Sequence, residues 1–147
     1  MNGKRIYSII GGDLRNVKLG ELLAEDGYEV RVYGFKDIEI KNREIVKETL
    51  NEAVEGADVV IGPVPCSLDG QTLNCSYFED KIFMNELFRL MNKNQIFIAG
   101  FINEKVKHMA EGFNIFWSDI LDREEMAVLN AIPTVLPKSV QLLQSAS

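Results

Sequence analysis

The chain has 147 residues, of which 46% are hydrophobic and 26% charged, with a formal net charge of -6. That is one domain of ordinary size and soluble-protein composition, long enough to bury a core without disulfide or metal staples. No apolar run reaches a bilayer span, no signal-peptide run follows Met1 to Arg5, and an acidic chain without a basic stripe is a poor partner for a phosphate backbone.

These features set the expectations of a cytoplasmic protein with no membrane and no nucleic-acid partner. Cys66 and Cys75, with eight residues between them, and the single His108 match no zinc pattern. No metal site is expected, and both thiols are expected to be reduced. A small anion is still allowed, because local backbone donors hold one against an acidic average.

Taken in chain order, Ile6 to Ile10 is short and apolar and reads as a first strand, stopping at Gly11-Gly12. A helix follows from Asp13 to Asp26, with Asp13 as its N-cap and Leu19, Leu22 and Leu23 on one face. Tyr28 to Tyr33 alternates as a second strand. Lys36 to Asn42 is charged and ambiguous. Val46, Leu50, Ala53 and Val54 form one stripe of a helix spanning Arg43 to Glu55. Ala57 to Ile61 is a third strand, apolar apart from Asp58 and so suited to burial on both faces.

Pro63 to Asp80 carries two prolines, Asp69-Gly70 and both cysteines, and reads as a long surface loop. A helix is expected from Glu79 to Met91 with Phe83, Leu87, Leu90 and Met91 inward. Gln95 to Ala99 is a fourth strand, Asn103 to Glu111 a helix capped by Asn103, and Asn114 to Trp117 a fifth strand. Asp122 to Asn130 is a last helix, opened by Glu124 and Glu125, which suit its dipole, and stopped near Pro133. Alternation of strand and helix predicts an α/β fold: a flavodoxin-like, Rossmann-like three-layer sandwich around a five-stranded parallel sheet in the order 2-1-3-4-5.

In such a sheet the loops after the strands gather at one edge. Here they are Gly11 to Asn16, Gly34 to Lys36, Gly62 to Ser67, Gly100 to Asn103 and Trp117 to Asp119. Ligands bind there, at the switch point between the first and third strands. The prolines of GPVPCS (Gly62 to Ser67) stiffen a loop that faces Gly11-Gly12-Asp13, and a pre-ordered loop lowers the entropic cost of binding. They serve equally as plain strand terminators. The pattern G-x-G-x-x-G and a Walker A loop are both absent, and Asp13 would repel a pyrophosphate, so the loop reads as a small-molecule site.

Arg15 suits a substrate carboxylate and equally an ordinary helix surface. Asp13 suits a cap better than an acid or base. Cys66 has no histidine near it in sequence to activate it as a nucleophile. His108 sits among lysines in a solvated helix, and Trp117 suits core or pocket wall.

GGDLR (Gly11 to Arg15), AEDGYEV (Ala24 to Val30), GPVPCS with Asp69-Gly70, KNQIFIAGF (Lys93 to Phe101), VKHMA (Val106 to Ala110) and EEMAVLNAIPT (Glu124 to Thr134) together resemble the N-terminal part of the dipicolinate synthase A subunit, over about residues 4 to 134. The resemblance implies an oxidoreductase subunit of endospore-forming bacteria, working in the mother-cell cytoplasm. It acts on a dihydrodipicolinate precursor in the branch leaving lysine biosynthesis and yields dipicolinic acid. It implies a partner, the flavoprotein-like B subunit of the same synthase, and a second, Rossmann domain that binds NAD(P). The layout resembles dehydrogenases whose substrate domain is itself flavodoxin-like.

Residues 1–134 are then the substrate domain and 135–147 a divergent tail. The tail contains no glycine and hence no dinucleotide turn, so no cofactor is expected on this chain and none of its chemistry proceeds alone. The expected pocket for a small dicarboxylate is Gly12, Asp13, Arg15, Pro65, Cys66, Ser67, Gly100 and Phe101, with no acid or base assigned. A competing expectation is a non-catalytic module that binds the partner subunit or itself, motivated by Phe78 and Phe83 near the long loop. A receiver domain needs an Asp cluster after its first strand, and a flavin carrier needs a phosphate loop. Glycines stand in the first place and the second is missing.

Overall fold

Five parallel strands build the sheet: β1 (Ile6–Ile10), β2 (Glu29–Tyr33), β3 (Val59–Ile61), β4 (Ile96–Ala99) and β5 (Phe116–Asp119). They lie in the expected order, β2-β1-β3-β4-β5. The computed structural model describes residues 5–36 and 38–121. The helix expected at Asp122 to Asn130 and the tail at 135–147 lie outside the described residues.

Strand side chains alternate between two faces, and the register turns that alternation into two cores. Ile9 stands opposite both Val32 and Ile61, and Ile61 opposite Ile98, so one apolar row crosses four strands. Helix α1 (Leu14–Glu25) covers that face with Val17, Leu19 and Leu23. On the other face Ile10, Val60 and Phe97 meet α2 (Leu50–Val54), α3 (Met84–Leu90) and α4 (Glu104–Gly112). Phe88 of α3 sets its ring edge-on to Phe97 at 5.3 Å, a favourable aromatic geometry.

Tertiary contacts revised several elements. The helix expected over Arg43 to Glu55 is split into a single 3-10 turn at Arg43–Ile45 and the short α2. Between them Val46 is extended and bridges Val32, and the Lys47 N–H donates to the Val32 carbonyl at 2.8 Å. Bonding to the open edge of β2 outweighs helix propensity there. Thr49 then restarts the helix with a capping box to Glu52.

The helix expected from Glu79 begins at Met84, because Thr72 and Phe83 bridge across the preceding loop. Its inward residues are Met84, Leu87 and Phe88, with Met91 buried just beyond, whereas Phe83 and Leu90 are exposed. Strand β5 begins two residues later than expected, after Asn114 turns the chain at φ 60°. The long loop is less superficial than its composition suggests, since Val64, Cys66, Ser67, Leu73 and Ile82 are all buried. Replacing Phe97 with Ala, at the centre of the second core, should cost about 3–5 kcal/mol in urea unfolding; a loss under about 1 kcal/mol would contradict this packing.

Candidate functional site

The site begins where β1 stops. Gly11 and Gly12 both have positive φ, at 68° and 110°. A Cβ on Gly12 would lie 2.3 Å from the Asn16 Oδ1, and Asn16 is buried. The amide of Asn16 fills this hollow. It accepts from the Asp13 N–H at 3.2 Å and donates to the Gly62 carbonyl at 3.4 Å. Asp13 caps α1 in return, its carboxylate accepting from the Arg15 N–H at 2.9 Å. The first turn of α1 is therefore stitched to the end of β3 across the switch point.

The loop after β3 follows the same logic. Arg15 reaches from α1 to the Val64 carbonyl at 3.0 Å, while its other guanidinium contacts go to Asp13. The return segment of the loop pairs Cys75 with Gly12, and the Asn74 N–H donates to the Cys66 carbonyl at 2.9 Å. Ser67 is turned into its own loop: its hydroxyl donates to the Thr72 carbonyl and accepts from the Gly70 N–H. Asp69 accepts from the backbone N–H groups of Thr72 and Gln71 and from the Thr72 hydroxyl. Those donors hold its carboxyl far below the usual carboxylate range. Cys66 is wholly buried, and burial, helped by the Asp119 charge, pushes its thiol up to about 12. A thiol in that setting is packing, not a nucleophile.

A third strand end completes the edge. The Cys66 N–H donates to the Gly100 carbonyl at 2.8 Å, and the Gly100 N–H to the Pro63 carbonyl at 3.2 Å. A Cβ on Gly100 would lie 2.6 Å from Val64 Cγ2. Phe101 then turns at φ 52°, a left-handed conformation that costs a bulky residue about 1–2 kcal/mol. Asp119, at the end of β5, holds it. This buried carboxylate accepts from the Phe101, Ile102 and Leu121 N–H groups at 3.1, 2.8 and 3.0 Å. The Phe101 side chain is left in solvent, with the residue 65% exposed.

Of the eight residues expected in the pocket, Gly12, Asp13, Arg15, Pro65, Gly100 and Phe101 meet at this edge. The side chains of Cys66 and Ser67 face the interior of the loop. The α1 N-terminus is occupied by its own capping box. Asn16, Val64 and Asp119 organise the edge without having been singled out. Asn16 had one visible signal, its place at the third position after an N-cap Asp; Asp119 had none, because its three partners lie across the sheet edge.

The residues present do not fit a dinucleotide pyrophosphate. The Asp13 carboxylate and the Asn16 amide stand where the phosphates would approach, and the turn lacks the close backbone access such a group needs. Among the described residues no group of three or more His, Cys, Asp or Glu is placed to hold a metal ion, and no helix is long and apolar enough to cross a membrane. A groove of about 620 Å³ lies at the opposite edge, between Lys93, Glu111 and Trp117. Its single carboxylate and ordinary surface residues offer no comparable convergence of loops.

The fold and its switch-point edge define an α/β, Rossmann-like domain. An imine reductase from Myxococcus stipitatus, in complex with NAD+, matches it at TM-score 0.56 and 15% identity, over 79% of this chain and 40% of that one. The chain belongs to the family of the N-terminal domain of the dipicolinate synthase A subunit, whose model matches residues 6–121. It is similar to the A chain of dipicolinate synthase from Bacillus subtilis, at 19% identity and TM-score 0.71, over 100% of this chain and 49% of that one. It is also similar to the A subunit from Bacillus halodurans, at 19% identity and TM-score 0.68, over 90% of this chain and 45% of that one. The chain thus spans about half the length of these two structures. A search of curated proteins gives no match.

Gly12→Ala should destabilise the domain by about 1 kcal/mol or more, since a side chain is strained at this φ and collides with a bonded amide; an unchanged urea midpoint would remove Asn16 from its hollow. The buried thiols set an alkaline limit. Cys66 moves from 9.0 to about 12 and Cys75 to about 11. Tyr7 moves from 10.0 to about 12, also by burial. The folded state keeps protons that the unfolded chain releases, so these groups contribute full stability below about pH 9 and their contribution should fall as pH rises from 9 to 12. Cys66→Ala should make that fall shallower, and an identical slope in both proteins would count against the buried thiol.

Proposed function

We propose that this domain binds the small dicarboxylate substrate of a dipicolinate synthase, as the substrate half of an NAD(P)-dependent oxidoreductase that turns a dihydrodipicolinate precursor into dipicolinic acid. The observation that carries the reading is Arg15, tied to the Val64 carbonyl across the crevice between β1 and β3 with its side chain 44% exposed. Its Nη1 makes no hydrogen bond among the described residues. A guanidinium held in this way offers a pre-ordered partner for a carboxylate. Gly12, Pro65, Gly100 and Phe101 form the surrounding wall, and Cys66 and Ser67 serve it by shaping the loop.

Family membership supports the remaining parts. Residues 1–134 form the substrate domain, the hydride acceptor NAD(P) belongs to a different domain, and the flavoprotein-like B subunit is the partner. The setting is sporulation in the mother-cell cytoplasm. On this reading the chain orients the substrate and presents it, and a domain that binds no dinucleotide oxidises nothing alone.

A second reading has its own observation. Leu14, which opens α1, and Leu68, in the loop after β3, are 54% and 80% exposed. Apolar residues so placed suit contact with the partner subunit or with a second copy. Phe78, by contrast, packs on Tyr33 at 5.3 Å. Sedimentation of the chain as a strict monomer, with and without the partner subunit, would remove this reading.

Calorimetric titration with pyridine-2,6-dicarboxylate is the direct test. Arg15→Ala should weaken binding at least about tenfold, the scale of one charge-assisted contact. Asp13→Asn keeps the cap but removes the competing negative charge, so it should tighten binding. Unchanged affinity in both variants would take Arg15 out of the site.

A further inference from the structure

We infer that Phe101 reads the planarity of the ligand's ring, and that Asp119 is the positioning residue that holds Phe101 in place. The inference rests on the dicarboxylate reading above and adds a role to one wall of that site.

Phe101 combines two features that rarely occur together. Its backbone is left-handed at φ 52°, and the residue is 65% exposed. Burial of the ring therefore does not compensate the backbone strain. The compensation comes from Asp119, a carboxylate 4% exposed that accepts the N–H groups of Phe101 and Ile102. The same carboxylate seats the next residue, Ile102, in the core, but it leaves the strained aromatic itself in solvent, and strain retained at an exposed residue is a signature of a functional position.

The setting says what such a ring would meet. Strand β3 lies between β1 and β4, so the end of β1, which leads into α1 and Arg15, and the end of β4, which leads into Phe101, stand about two strand spacings apart, roughly 10 Å. Val64 fixes both sides, through its carbonyl to Arg15 and through its methyl groups against Gly100. A guanidinium on one side selects a carboxylate, and an exposed phenyl face on the other favours a flat conjugated ring over a puckered one. A six-membered ring bearing carboxylates is of the size that bridges them once contact distances are included.

The test pairs two ligands of equal charge and carboxylate spacing, benzene-1,3-dicarboxylate and cis-cyclohexane-1,3-dicarboxylate, titrated calorimetrically into the full chain. The native protein should prefer the planar ligand by up to about tenfold. Phe101→Ala should abolish that preference by weakening the planar ligand more than the saturated one, and Phe101→Tyr should keep it. Asp119→Asn should reduce the preference in protein that circular dichroism shows to be folded, an effect that loss of stability alone does not produce. Arg15→Ala should weaken both ligands equally. A planar preference that survives in Phe101→Ala would overturn the role of Phe101 and leave the dicarboxylate reading standing. Binding of neither ligand to the native chain would overturn both.

Discussion

Everything at the candidate site depends on five strands running in one direction. Parallel pairing sends every strand end to the same edge, so loops distant in sequence become neighbours there. The order β2-β1-β3 then opens a crevice, because the chain leaves β1 toward β2 on one side and returns to β3 on the other. The short apolar strands are what hold this arrangement. With Ile9, Ile61 and Ile98 buried on one face and Ile10, Val60 and Phe97 on the other, neither face tolerates a slipped register.

On that frame, the edge is built mostly from side chains bonded to backbone. Asn16 joins the cap of α1 to the end of β3, Ser67 and Asp69 fold the long loop on itself, and Asp119 gathers the turn after β4. Each one satisfies donors or acceptors that a loop cannot pair internally, which lets irregular backbone pass through buried surroundings. The consequence for function is economy of free groups. The α1 N-terminus and the Ser67 hydroxyl are already used by the protein. On the proposed reading, what remains to meet a small acid is one guanidinium and an aromatic rim.

The strands, the first helix and the strand order were legible from periodicity and glycine placement, since each follows from local patterning and the handed rules of parallel sheets. The family resemblance was carried by strings such as GGDLR and GPVPCS, which lie on the loops that meet. The two misread helices share one cause. Val46 and Thr72 look like members of a helix and of a surface loop, yet each forms a bridge to a partner distant in sequence. Local propensity is weak beside a backbone hydrogen bond that closes an open strand edge.

The sequence alone determined that this is an α/β chain whose loops gather at the glycine-ended strands, because alternation, caps and turns are properties of neighbouring residues. Only the tertiary structure decided which polar groups are available. Cys66 and Ser67 turn inward, Arg15 is held across the crevice and Phe101 is clamped outward by Asp119, 18 residues further along the chain. Those outcomes turn on hydrogen bonds between separate strand ends, and no pattern of adjacent residues records them.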